Sequence, residues 1–117
     1  MVFRMHELAV TQSILQIALE NANAAKAKQI IGINLQIGQL ASLVDDSIQF
    51  YWDIISEGTI ALGAKLNITR IPTIMRCFDC GENFSPDSDS FECPLCKSIR
   101  VQVVQGEEMR VSSIDVE

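Results

Sequence analysis

The chain of 117 residues carries a formal net charge of −6, with 48% hydrophobic and 21% charged residues. That balance describes one folded domain, or one domain with a small appendage, and excludes a disordered chain; two separate halves would be too short to bury cores of their own. No run approaches the ~18 apolar residues of a membrane span, and Met1-Val2-Phe3-Arg4 lacks the ~7–15-residue apolar core of a signal peptide, so no membrane association and a cytoplasmic location are expected.

Leu8, Thr11, Ile14 or Leu15, Ala18 or Leu19, Ala22 and Ala25 recur every three or four residues, with Gln12, Gln16, Glu20 and Asn23 between them. This spacing predicts an amphipathic helix. Its expected end lies near Lys26 to Lys28, where positive charge complements the carbonyl end of the dipole. A switch to period two follows, Ile31, Ile33, Leu35 and Ile37 alternating with Gly32, Asn34 and Gln36, which predicts a strand with one buried face that stops at Gly38. Asp45 or Asp46 is then expected to cap a second helix running to about Glu57, with Ile48, Tyr51 or Trp52, and Ile55 on one side and Gly58 as its stop. Phe50, Tyr51 and Trp52 read as packing residues. Leu66 and Ile68 resume alternation up to Pro72, which suits an edge or the end of a strand.

The four cysteines fall as Cys77-Phe78-Asp79-Cys80 and Cys93-Pro94-Leu95-Cys96, two C-x-x-C pairs separated by twelve residues. Each pair turns its sulfurs toward one point, and two facing knuckles complete the tetrahedral four-sulfur shell that zinc favours in structural sites. Gly81 supports the first turn and Pro94 the second. Disulfides fall behind this reading because nothing suggests an oxidising compartment. Iron on the same thiolates, as in a rubredoxin-like electron carrier, is the closer alternative. The polar stretch from Ser85 to Ser90 is the exposed loop expected between the knuckles. Beyond them, Ile99 to Val104 and Met109 to Val116 read as strands around Gln105-Gly106. In the last strand Met109 and Val111 share one phase and Ile114 and Val116 the other, so a bulge or a change of face is expected there.

The order predicts an α/β fold of two helices packed on a small three-stranded, mainly antiparallel sheet with an inserted zinc-ribbon domain. Residues 1–75 with 106–117 form the α/β domain and residues 76–105 the ribbon. Helices on one face leave an open sheet surface for a partner. Only Arg76, Lys97 and Arg100 oppose Asp79, Glu82, Asp87, Asp89 and Glu92 in the ribbon, so it is net acidic and ill suited to grip nucleic acid; proteins are the expected partners. Met75 and Met109 read as gap fillers. No catalytic constellation stands out, and no enzyme is expected. A zinc-stabilised interaction module without transported metal is a further alternative.

Met5-His6-Glu7-Leu8-Ala9-Val10, Gln36-Ile37-Gly38-Gln39-Leu40, Gly58-Thr59, Ala64-Lys65-Leu66-Asn67-Ile68, both cysteine pairs, Gly106-Glu107-Glu108-Met109 and Ser113-Ile114-Asp115-Val116-Glu117 together resemble the HypA/HybF family of hydrogenase nickel-incorporation proteins. The resemblance runs from Met5 to the end. It implies a nickel metallochaperone, a nickel-binding α/β domain joined to a structural zinc domain. The implied partners are a nickel-handling GTPase and the large subunit of [NiFe]-hydrogenase, with urease accessory proteins in some organisms. Its cofactors would be a structural zinc ion on Cys77, Cys80, Cys93 and Cys96, and its cargo a nickel ion at Met5, His6 and Glu7.

Chemistry supports such a terminal site. Ni(II) takes a square-planar nitrogen shell readily, and a free amine beside a histidine offers amine, deprotonated amide and imidazole donors from consecutive residues. His6 is the chain's one histidine. Taken without the resemblance it would be a residue that merely solvates a helix start. Glu7 is expected to bind or orient the shell, or to favour the positive end of the helix. Asp45 and Asp46 have a lesser claim to a place near it. The chain departs from the family pattern in carrying four residues ahead of Met5, so the amine is a ligand only where Met5 begins the mature chain.

Overall fold

A computed structural model describes residues 2–86 and 90–117, with side chains from Glu7 onward. Its elements are α1 (Val2–Ala24), β1 (Ile30–Gly38), α2 (Asp45–Ile55), β2 (Lys65–Ile71), β3 (Ile74–Cys77), β4 (Asn83–Phe84), β5 (Val101–Gln105) and β6 (Met109–Val116). One sheet has the order β2-β1-β6 and the other β4-β3-β5. The chain divides into two compact units, residues 1–36, 42–69 and 110–117 in one, and residues 37–41 and 70–109 in the other.

Helix α1 buries Glu7, Thr11, Ile14, Ala18 and Ala22, which resolves the alternatives of the sequence in favour of Ile14 and Ala18. The helix ends by a backbone device rather than by charge. Lys26 takes φ 56°, its N–H bonds to Asn23 O at 3.0 Å and that of Ala27 to Ala22 O at 2.9 Å. This is the Schellman pattern, formed here without the usual glycine. Helix α2 packs against α1, burying Ile48 and Trp52. Its cap differs from expectation: Val44 holds that position with φ −101° and ψ 122°, and Asp45 and Asp46 lie within the first turn. There their charge still favours the positive end of the helix. Of the three aromatic residues, only Trp52 is buried, whereas Phe50 is 61% exposed.

In β1 the residues Ile33, Leu35 and Ile37 face inward as the alternation predicts, but Ile31 is exposed and Ile30 takes the buried place. Ile30 N–H donates to Ile60 O at 2.9 Å. At the two ends of the β1–β6 pair, Glu117 N–H bonds to Gln29 O and Gly38 N–H to Glu108 O, so these strands are antiparallel. Strand β2 runs with β1 instead: Gly32 lies beside Lys65, Asn34 is bonded to Asn67, and Gln39 N–H reaches Ile71 O. The sheet is therefore mixed, with α2 as the crossover that a parallel pair needs. Its polar face is tied by Asn67 Nδ2 to Asn34 Oδ1, Asn34 Nδ2 to Ser113 Oγ, and Arg110 Nε to Gln36 Oε1. The expected change of phase in β6 falls at Ser112-Ser113, both exposed. Both serines bond to Asn34.

The second sheet is antiparallel. Strand β3 pairs Met75 with Phe84 and Arg76 with Asn83 on one side, and Met75 with Val103, Arg76 with Gln102 and Cys77 with Val101 on the other. The register slips between Ile74 and Met75. Val104 falls in that slip and is 54% exposed. The sequence showed neither β3 nor β4 as separate strands, because elements of four and two residues are too short for a period to emerge. Of the polar loop expected at Ser85 to Ser90, residues 87–89 lie outside the described residues.

Candidate metal centre

Cys77 is the last residue of β3, and it opens a knuckle whose geometry is repeated at Cys93. Gly81 N–H bonds to Cys77 O at 2.9 Å and Cys77 N–H to Glu82 O at 3.0 Å. Likewise Lys97 N–H bonds to Cys93 O at 2.8 Å and Cys93 N–H to Ser98 O at 2.9 Å. The residue four places after each leading cysteine turns the chain with positive φ, 78° at Gly81 and 65° at Lys97. Thus Gly81 supports the first turn as expected. In the second turn Lys97 takes the matching position, three residues after the Pro94 expected to support it. The signal was the shared spacing from the leading cysteine, masked because lysine seldom adopts that conformation.

The two knuckles bring all four sulfurs within 4.8 Å of one another. Cys77 Sγ lies 3.5 Å from Cys96 Sγ, and Cys80 Sγ 3.6 Å from Cys93 Sγ. A metal bound at the ~2.3 Å zinc–sulfur distance in a tetrahedron requires sulfurs about 3.8 Å apart, so the cage suits such an ion. Cys77 and Cys93 are buried and Cys80 and Cys96 exposed, all four as free cysteines. Free thiols agree with setting the disulfide alternative behind a metal site.

Crowding sets the thiol chemistry. The Cys80 N–H, aided by that of Asp79 and by the sulfurs of Cys96 and Cys80, lowers Cys77 from 9.0 to about 7 against the effect of burial. At Cys96 the Ser98 N–H acts downward, but the Cys77 sulfur, burial and the Cys93 and Cys80 sulfurs push the thiol up to about 12. At Cys80 the Glu82 N–H and the Cys96 sulfur act downward, but burial and the sulfurs of Cys93 and Cys77 together raise the thiol. The Cys77 thiolate forms readily, and a bound cation would favour the loss of the proton at Cys80 and Cys96.

A polar clasp joins the knuckles. Ser98 Oγ donates to Asp79 Oδ2, and Arg100 Nη1 to Asp79 Oδ1 at 2.9 Å. Arg100 O in turn accepts from Phe78 N–H at 2.9 Å. These residues were missed as a group, since contacts 19 and 21 residues apart leave no periodic trace.

Of the expected nickel residues, Met5 and His6 have their backbone in α1 and their side chains outside the described residues. Glu7 is described and is 2% exposed. Its Oε2 accepts the Val44 N–H at 2.7 Å. The carboxylate thus serves the start of α2, not that of α1. Met75 is buried at 6% and half-buried Met109 lies at the start of β6, in keeping with packing roles. Among the described residues no helix is long and apolar enough to cross a membrane.

Residues 5–116 match the family described as hydrogenase/urease nickel incorporation, metallochaperone, hypA. A hydrogenase maturation factor HypA of Dehalococcoides mccartyi is 40% identical over 113 residues, covering 97% of this chain and 95% of its own. The protein of the same description from Acidithiobacillus ferrooxidans is 37% identical over 113 residues, with coverages of 97% and 100%. Among solved structures, the solution structure of the nickel metallochaperone HypA from Helicobacter pylori aligns with TM-score 0.68 at 25% identity, over 94% of this chain and 96% of that one. A second HypA solution structure aligns with TM-score 0.75 at 27% identity, over 97% of each chain. A match over nearly the whole length, joined to a shared fold and the four-sulfur cage, places the chain in the hydrogenase/urease nickel-incorporation metallochaperone family, HypA.

Proposed function

We propose that this protein carries nickel for the maturation of [NiFe]-hydrogenase, holding Ni(II) at Met5-His6-Glu7 and a structural zinc ion at Cys77, Cys80, Cys93 and Cys96. The reading makes the chain a carrier and not an enzyme, and it works with a nickel-handling GTPase that passes the ion to the hydrogenase large subunit. Urease accessory proteins are a second destination. The observation that carries it is the family match over residues 5–116, which begins at the Met-His-Glu unit itself.

Chemistry separates the two metals. A closed cage of four thiolates holds its ion too firmly for a cargo, and its place at the end of β3 suits a structural staple. A terminal nitrogen site selects Ni(II) by its preferred square-planar geometry and stays open to a recipient. In this division residues 1–75 with 106–117 handle nickel and residues 76–105 hold zinc.

The first four N–H groups of a helix have no partner within it, so a chain beginning at Met5 offers the amides of His6 and Glu7 to the metal. Zinc-loaded chains beginning at Met1 and at Met5 are titrated with nickel while the visible absorption is followed. The Met5 chain is expected to take one further ion with a square-planar band, and the Met1 chain to bind more weakly with a different band. Equal affinity and equal spectra would remove the amine from the shell. A coloured four-thiolate site in the protein as purified would favour iron over zinc.

A further inference from the structure

The N–H of a helix-capping residue is commonly satisfied from within its own helix, by a Glu or Gln three positions on that reaches back to it. In α2 that third position is Ser47, and the cap, Val44, has no polar side chain. The partner of the Val44 N–H comes instead from α1, 37 residues away in sequence: Glu7 Oε2, at 2.7 Å. Glu7 is 2% exposed. Its own carbonyl accepts Thr11 Oγ1 at 2.6 Å, and Thr11 is fully buried. The residue directly after His6 is therefore pinned through both side chain and backbone.

We propose that Glu7 is a positioning residue for the nickel-binding segment, fixing the part of α1 that carries His6 against the start of α2, and that its carboxylate is not a ligand. The inference rests on the terminal nickel site proposed above. Two features favour positioning over ligation. At 2% exposure, and with Oε2 held on the Val44 N–H, the carboxylate is shielded from a metal arriving from solvent. Ni(II) in a square-planar shell also has its nitrogen donors at hand, and a carboxylate oxygen adds little to that geometry. The role parallels that of outer partners which orient metal ligands and whose loss lowers affinity about 10–100-fold.

Glu7→Gln keeps an oxygen that can accept the Val44 N–H but removes the charge; Glu7→Ala removes both. In the full chain, Glu7→Gln is expected to retain nickel stoichiometry, the nickel absorption band and slow hydrogen exchange at the Val44 amide. Glu7→Ala is expected to expose that amide and to weaken nickel about 10–100-fold with zinc content unchanged. Val44→Pro, which deletes the donor and leaves Glu7 in place, is expected to weaken nickel in the same way and guards against a Glu7→Ala chain that does not fold. Equal loss of nickel in Gln and Ala variants with an altered band in Glu7→Gln would make Glu7 a ligand and overturn the proposal. His6→Ala, run alongside, keeps the two readings apart: nickel binding that survives it defeats the terminal site. Nickel lost in His6→Ala but retained in both Glu7→Ala and Val44→Pro defeats only the positioning role.

Discussion

At Gly38 an added Cβ would sit 2.0 Å from Gly106 O and 2.7 Å from Glu107 N, with nothing flexible in the way. The close approach has a purpose: Leu40 N–H bonds to Gly106 O at 2.8 Å and Gly38 N–H to Glu108 O at 2.7 Å. Gly106 in turn has φ 119°, and its own Cβ would lie 2.9 Å from Thr73 Cα. Gly38→Ala is therefore expected to destabilise the protein by about 3 kcal/mol, read from the urea midpoint; an unchanged midpoint would contradict the packing described. The sequence showed Gly38 only as a strand terminus and Gly106 only as a turn. Their meeting is a long-range fact that no local period encodes. Glu7 is similar: the sequence puts it at a helix start, whereas α1 begins at Val2, and its partner Val44 was not legible because the cap of α2 was expected in the aspartates that follow.

At the scale of elements, the long periodic segments were the legible ones. Helix α1, strand β1 and helix α2 each expose a repeated apolar face, whereas the short strands β3 and β4 owe their form to pairing and to the knuckles that close them. The cysteine spacing compensated for this, since C-x-x-C imposes its turn whatever the strand length. It also makes the ribbon the part most dependent on metal. Zinc must displace protons from Cys80 and Cys96, both raised, so its affinity should rise with pH and fall as the solution is acidified. Replacing Cys93, whose sulfur and side chain are buried in the cage, should release zinc and disorder residues 76–105. The Ile14, Ile33, Leu35, Ile48 and Trp52 core should persist, having its own apolar burial. Heteronuclear spectra of Cys93→Ala check both halves of this expectation. Zinc-free protein with an intact ribbon, or zinc affinity that does not change with pH, would contradict it.

The whole molecule joins a small mixed α/β unit to a cysteine-ribbon unit, and family membership assigns that combination to nickel incorporation. Fold class and the four-sulfur cage could be read from the chain because they follow from period and spacing. The parallel entry of β2 could not, since a strand's direction depends on the connection and not on its alternation. The nickel site depended on resemblance more than on pattern, a single histidine being weak evidence of a ligand set. In the function proposed, one protein keeps two metals at separate places with separate chemistry. The direct measurement is zinc and nickel content, by elemental analysis, of wild-type and His6→Ala chains after nickel loading and removal of excess ion. One zinc and one nickel in the wild type, with nickel lost and zinc retained in His6→Ala, is the predicted result; nickel retained in His6→Ala, or zinc lost together with nickel, would contradict the account.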